Sequence, residues 1–388
     1  MKTSISILGS TGSIGLSAFK IIDKKKNYFN INLLSANKNY TLICKQIKKY
    51  NPKFFIITDP IIFKKVKIKF KKKKIGIFNS FKSIKLKKKT DIIISAIPGI
   101  AGLEPSILMI KFSKKFLIAN KESIICGWNL IKKKALKHDT KIVPIDSEHF
   151  SISKLLENHN LKEIKKIYIT ASGGPFLNYT KKKLEKVEPI NALKHPKWKM
   201  GKKITIDSST LMNKILEFVE AQKLFNIPQK KLDILIHPES LVHAIVELKN
   251  GLTKFVYHET SMVIPLANAI FDGNLNINDF VKIKNKKNIE NLTFLKPDAR
   301  IFPSIKLKNQ INEFTSTSII INASNEILVD QFLRKKIPFL AIYKVIKTIL
   351  DDRNYKKYAI RKAQNIKDIN IIDFWARKLT LEKIKKYI

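Results

Sequence analysis

A chain of 388 residues has room for two or three domains, each with its own core. Its 75 Lys+Arg against 31 Asp+Glu give a formal charge of +44, which invites a nucleic-acid reading, but only five of the basic residues are Arg (300, 334, 353, 361 and 377). The planar forks that read phosphates and bases are therefore scarce, which argues against a nucleic-acid partner. Cys44 and Cys126 make no disulfide framework, residues 1–12 lack a signal-peptide pattern, and no apolar run approaches the roughly 18 residues of a membrane span, so the expectation is a soluble cytoplasmic protein with no membrane partner.

The first 146 residues alternate short apolar runs with amphipathic ones. "SISIL" (4–8), "INLLS" (31–35), "FFIIT" (54–58), "DIIISAI" (91–97), "KFLIAN" (115–120) and "KIVPID" (141–146) read as strands, continuous in Ile because helices cover both faces. This predicts an α/β fold that opens with a Rossmann-like, doubly wound domain over 1–146. The Lys-dense 63–78 reads as a solvated helix face followed by an edge strand. After the first strand comes "ILGSTGSIG" (7–15), whose Gly9, Gly12 and Gly15 let backbone approach a pyrophosphate at the start of a helix, or else make a plain tight turn. The second strand ends "SANKN" (35–39), with no acid for a ribose hydroxyl. Asn37, Lys38 and Asn39 offer a cation and amides to a 2′-phosphate, so NADPH is preferred over NADH, unless Lys38 is one more surface lysine.

"IANKES" (118–123) puts Asn120, Lys121 and Glu122 at a strand's carboxyl end. "VPIDSEHF" (143–150) puts Asp146 and Glu148 at another, flanking Ser147. Two carboxylates this close repel unless a proton or cation intervenes, and a hard Mg2+ or Mn2+ suits oxygen ligands; helix capping by "DSEH" is the other reading. In the middle of the chain a strand runs into Ser172-Gly173-Gly174, a small-residue anion site. "LVHAIVELKNGLTKFVYHE" (241–259) is a hairpin about Asn250-Gly251. Between them, Asp207-Ser208-Ser209-Thr210 reads as the cap of a helix on which Asn213, Lys214 and Glu217 share neighbouring faces, able to bind phosphate with its first turn and Lys. The stretch 147–290 is thus expected to be an α+β catalytic domain, and 297–388, periodic and strand-poor, a C-terminal helical bundle.

With "GSTGSIG", "ANKES", "DSEH", "SGGPF", "HPKWKMGKKITIDSSTLMNK" and "NASNE" in this order, the whole chain resembles the 1-deoxy-D-xylulose 5-phosphate reductoisomerase family. The resemblance implies a homodimeric enzyme of isoprenoid biosynthesis that uses NADPH and a divalent metal, Mg2+ or Mn2+, on a phosphorylated sugar. It implies Asp146, Glu148 and Glu217 as metal ligands. Ser147, Lys121, Ser172, Ser208, Asn213 and Lys214 become substrate contacts, the last four largely with the phosphate. His195, Trp198 and Met200 become a flap closing on the substrate. Thr11, Gly12, Ser13, Ile14, Lys38, Asn39, Asn120, Glu122 and Gly201 become cofactor contacts. Asn37, Ala171 and Ile215 depart from small residues frequent in the family. Two rival readings are a semialdehyde dehydrogenase with Cys126 as nucleophile and a basic RNA-binding protein.

Overall fold

The computed structural model describes residues 2–198, 200–283 and 291–387, so the expected boundaries at 290 and 388 lie outside the described residues. In chain order the first elements are β1 (Thr3–Leu8), α1 (Ser13–Lys24), β2 (Phe29–Ala36), α2 (Tyr40–Tyr50), β3 (Phe54–Ile57), α3 (Pro60–Lys69), β4 (Gly76–Phe78) and β5 (Thr90–Ser95). There follow α4 (Leu103–Ile110), β6 (Ser113–Ile118), α5 (Lys121–Lys137), β7 (Lys141–Pro144), α6 (Ser147–Leu156), β8 (Ile164–Ala171), α7 (Lys202–Ser209), α8 (Met212–Phe225) and β9 (Leu232–Ile236). The last are β10 (Val242–Leu248), β11 (Thr253–Tyr257), α9 (Val263–Phe271), α10 (Thr317–Leu333), α11 (Ala341–Leu350), α12 (Tyr355–Ala359) and α13 (Ile366–Lys383).

The chain divides into two compact units, Met1–Ser123 with Asn129–Asp146 and Ser261–Ile283, and Ile124–Trp128 with Ser147–Thr260 and Lys284–Ile388. In the first, seven strands form a wholly parallel sheet in the order β4-β3-β2-β1-β5-β6-β7, with the direction of winding reversing at β1. Ile5, Ile7, Ile93 and Ile94 have no exposed surface, as the unbroken apolar runs require. The Lys-rich stretch divides as expected into α3 and the edge strand β4. Local chemistry sets the helix ends: Asp59 caps α3 ahead of Pro60, and Asn51 stops α2 in the left-handed region at φ 43°.

The units differ from the sequence reading in three places: Ile124–Trp128, expected in the first domain, falls in the second unit; the C-terminal stretch, expected as a domain of its own, shares that unit; and 261–283 changes units. Residues 261–283, expected in the central domain, belong to the first unit. There Val263, Leu266, Ala267 and Ile270 of α9 share a core with Ile5, Phe19 and Ile22, and Lys115 Nζ donates to Ala269 O and pairs with Asp272 at 2.7 Å. The run "VIPLANAIF" is plainly a buried helix, but its pattern does not say which sheet it will cover.

The second unit holds a four-stranded mixed sheet, β11-β10-β8-β9, in which β8 and β9 are parallel and the other neighbours antiparallel. The expected hairpin is β10–β11, turning at Gly251 with φ 90°. Helix α8 buries Met212, Ile215, Leu216, Phe218 and Val219. The C-terminal stretch is helical, as expected, and lies in the same compact unit as 147–260. Among the described residues, no helix is long and apolar enough to cross a membrane.

Candidate active site

In the first unit the glycine loop lies past the end of β1. Gly9 N donates to Ser35 O at 3.1 Å and to Ser35 Oγ at 3.0 Å, and Ser10 Oγ donates to Gln46 at 2.7 Å, so the loop is tied to β2 and α2. Gly9 has φ +84°, and a Cβ there would sit 2.6 Å from Ala96 O; one on Gly15 would sit 2.6 Å from Ser10 O. Those two glycines are required by packing. Gly12 is exposed, its Cβ would meet only Gly9 O at 3.4 Å, and it caps α1 without a side-chain bond. The first N–H groups of a 12-residue helix are therefore open to an anion.

A cleft of about 660 Å3 opens here, with Gly9, Thr11, Gly12, Asn37 and Ala96 in its lining. Thr11, Gly12 and Asn37 thus line it, and Ser13 and Ile14 open α1. Lys38 is exposed just after β2. Asn37 donates to Thr58 Oγ1 at 2.7 Å, and Asn39 caps α2 by accepting from Leu42 N. The donors present fit a dinucleotide whose pyrophosphate meets α1. Asn120 is buried: it caps α5 through Ser123 N at 2.7 Å and donates to Ile97 O, Gly99 O and Glu122. It therefore shapes the loop after β5.

Lys121 and Asp146 follow the neighbouring strands β6 and β7 and pair at 2.8 Å. Asp146 closes the first unit, and Ser147 opens the second and begins α6. Within the second unit, Glu148 of α6 and Glu217 of α8 are both buried and both pair with the Lys214 ammonium, the Glu217 contact at 2.6 Å. Asn213 donates to the other Glu217 oxygen, and Ser147 Oγ donates to Glu148 at 2.6 Å. Burial by itself would push Glu148 up. The Lys214 charge, with the Lys214 and Ser147 hydrogen bonds, overrides it and holds this carboxyl far below the usual range. Burial likewise pulls Lys214 down, and Glu148 and Glu217 together raise it. Two carboxylates from different helices thus converge on a single positive charge, a donor set of the kind a hard divalent ion takes. Behind them His149 Nε2–H donates to Glu217 O at 2.9 Å, and Glu220 lies 3.4 Å from its Nδ1.

Of the run Asp207–Thr210, expected to cap the helix bearing Glu217, Thr210 alone bonds its start, its Oγ1 accepting the Met212 N–H at 3.3 Å, while Leu211 takes the N-cap position. Asp207, Ser208 and Ser209 close α7, and Leu211, with φ 64°, breaks the chain before α8 begins at Met212. The break is hidden in the sequence because Leu211 is an ordinary apolar residue in a left-handed conformation, its side chain buried. Ser208 still comes to the site from the last turn of α7. A Cβ on Gly174 would lie 3.1 Å from Ser208 O, so only glycine lets the turn after β8 approach α7 this closely.

His195 joins the two serines. Its Nε2 lies 3.0 Å from Ser172 Oγ and 3.2 Å from Ser208 Oγ, while Nδ1 accepts the N–H groups of Lys197 and Trp198 at 3.1 and 2.9 Å. A ring nitrogen accepting two N–H bonds carries no proton, so His195 is neutral and Nε2 carries its hydrogen. Burial first, then the Lys214 charge, push His195 down to about 4, in agreement. Met200 is half-buried, and Gly201, exposed, caps α7.

Sequence reasoning missed three polar residues here. His243 and His258 stack with ring centroids 3.8 Å apart, and Trp198 meets His243 edge-on at 5.9 Å. The hairpin about Asn250-Gly251 brings 243 and 258 to the same end of its two strands, so their neighbourhood was recoverable, while the bulge between Val242 and Ala244 that shifts the pairing was not. The buried Asn325, from "NASNE", donates to Asp207 at 2.7 Å across 118 residues and steadies α7. Ile215 is fully buried and Ala171 lies in a small apolar cluster, so both departures from small residues are accommodated as packing. Cys126 is buried, with the Asn322 amide 3.8 Å from its sulfur, which suits a structural thiol better than a nucleophile.

Comparison with known proteins covers most of the chain. Residues 5–127 match the family described as 1-deoxy-D-xylulose 5-phosphate reductoisomerase, 142–225 its C-terminal domain, and 259–379 the domain described as DXP reductoisomerase C-terminal domain. A relative from Pelagibacter ubique named 1-deoxy-D-xylulose 5-phosphate reductoisomerase is 46% identical over 386 residues, covering 97% of this chain and 98% of that one. A crystal structure of DOX-P reductoisomerase with NADPH, fosmidomycin and magnesium superposes with TM-score 0.92 at 31% identity, covering 99% of this chain and 98% of the other. The Zymomonas mobilis enzyme with NADPH gives 0.88 at 30% identity, covering 99% and 100%.

Proposed function

The chain belongs to the 1-deoxy-D-xylulose 5-phosphate reductoisomerase family, and from that premise we propose which of its residues carry each part of the reaction. The activity is the NADPH-dependent rearrangement and reduction of 1-deoxy-D-xylulose 5-phosphate to 2-C-methyl-D-erythritol 4-phosphate, in isoprenoid biosynthesis. Asp146, Glu148 and Glu217 hold the divalent ion. The observation that carries this is the convergence of buried Glu148 and Glu217 on one cation, with Asp146 tethered two residues from Glu148.

A divalent ion held there, Mg2+ or Mn2+, would supply Lewis-acid stabilisation of negative charge on the substrate, and NADPH would supply the hydride. The chain's own residues do the rest. Thr11 to Ile14 present the start of α1 to the pyrophosphate, and Lys38 with Asn37 and Asn39 meets the 2′-phosphate. Lys121, fixed by Asp146, brings a mobile proton and positive charge to the reacting oxygens, beside Ser147. Ser172, Ser208 and Asn213 hold the phosphate end. Lys214 balances the carboxylates in this structure, and its flexible stem reaches phosphate when they are otherwise neutralised. Neutral His195 donates through Nε2 to substrate, and with Trp198 and Met200 forms the flap that excludes water.

A homodimer in the cytoplasm is part of the same reading, checked by sedimentation equilibrium and cell fractionation. The reaction is tested by following NADPH consumption with 1-deoxy-D-xylulose 5-phosphate. Turnover should vanish in chelator and return with Mg2+ or Mn2+; unchanged turnover in chelator refutes the carboxylate assignment.

A further inference from the structure

The flap segment is fastened on two sides. On the polar side His195 bonds Ser172 and Ser208 through Nε2 and gathers the Lys197 and Trp198 N–H groups on Nδ1. On the other side the Trp198 ring has an aromatic neighbour, the edge-on His243, and His243 in turn lies flat against His258, with planes 18° apart. These two rings come from β10 and from the residue just after β11, both of them buried.

Their orientations are locked by backbone. His243 Nε2–H donates to His258 O at 3.0 Å, and His258 Nδ1–H donates to Glu259 O at 2.8 Å. These bonds fix which edge each ring presents, and the flat contact with the His258 ring sets the tilt of His243. Burial pushes both histidines down, His243 to about 3 with the His258 ring adding to the effect, so two neutral rings stack without charge repulsion. A histidine that served only to fill the hairpin end would not need its plane fixed twice.

We propose that the stacked His243–His258 pair is the platform on which Trp198 docks, and that His258 is a positioning residue which sets the flap's pose through His243. The inference rests on the reading of residues 195–200 as a substrate flap. His258 touches neither substrate nor cofactor in it. Its work is to keep the His243 edge aimed at the indole, so that the flap returns to one pose and little ordering remains to be done when substrate arrives.

The test compares His258→Phe, which keeps a flat ring, with His258→Leu, which fills the space without one, and His258→Ala. Each is read by tryptophan emission without substrate, with the same variants on a Trp198→Phe background to isolate Trp198 from Trp128 and Trp375, and by steady-state kinetics. The Leu and Ala variants should shift Trp198 emission to longer wavelength and raise KM for the sugar phosphate about 3- to 10-fold, the range an aromatic pair carries, with kcat and NADPH affinity within about twofold. The Phe variant should restore both readouts. Unchanged emission in Leu and Ala, or a Phe variant as impaired as Leu, overturns the platform. Trp198→Ala separates the two readings: if it leaves KM unchanged the flap reading fails, while the emission of the His258 variants still decides whether Trp198 docks on the pair.

Discussion

The two units build their sites from different materials. In the first, backbone does the work: glycines admit close approach, and the bare start of α1 offers N–H groups to an anion. In the second, side chains do it: Glu148, Glu217 and Lys214 are buried charges that tolerate burial only because they answer one another. A backbone site is written in a few adjacent residues and fails by steric overlap. A site of buried charges is assembled across distant segments and fails when one partner is removed.

Glu217→Gln breaks the contrast most severely. It keeps size and the bond from Asn213 but removes a charge, so turnover should fall about a thousandfold or more while NADPH affinity, which the glycine loop at α1 is proposed to carry, stays put. Steady-state kinetics beside fluorescence titration of NADPH separates the two.

Next in size is Lys214→Met, which strands two buried carboxylates and should cost about 3 kcal/mol at neutral pH in chelator. The sign with pH follows from the partners. In the intact protein Glu148 is depressed, so its contribution is full above the unfolded carboxyl value and lost as pH falls through the folded one. Lys214 is raised, so its contribution is full below its unfolded value and lost as pH rises through the folded one. Without the ammonium, burial raises Glu148 instead, and the penalty should shrink as pH falls toward 5. Urea melts from pH 5 to 8 check this, and an equal penalty across that range contradicts the pairing.

Gly9→Ala probes the backbone site. A left-handed φ of +84° and a contact of 2.6 Å to Ala96 O should cost about 2 kcal/mol and weaken NADPH, where Gly12→Ala, with open space, should keep the fold. Thermal melts of the two variants make the comparison. Smallest of all, Lys38→Ala should lower the preference for NADPH over NADH about tenfold, seen in the ratio of the two kcat/KM values.

The same contrast explains what could be read in advance. The parallel sheet, the glycine loop and the hairpin were legible because each depends on neighbours in sequence: continuous Ile runs, Gly9 to Gly15, Asn250-Gly251. Glu148 and Glu217 were legible as chemistry but not as geometry. That Lys214 would stand between them, and not among the serines, depends on how α6 and α8 pack. The break at Leu211 and the allegiance of α9 were illegible for a common reason. A buried apolar residue announces burial but neither its φ nor its partner.

The proposed assignment of Asp146, Glu148 and Glu217 to one divalent ion is open to a direct test. Counting bound Mn2+ by electron paramagnetic resonance, in the wild-type protein and in Glu217→Gln, tests it without substrate or turnover. One tightly bound ion per chain is expected in the first, and its loss or marked weakening in the second. Equal, tight binding by both would contradict it.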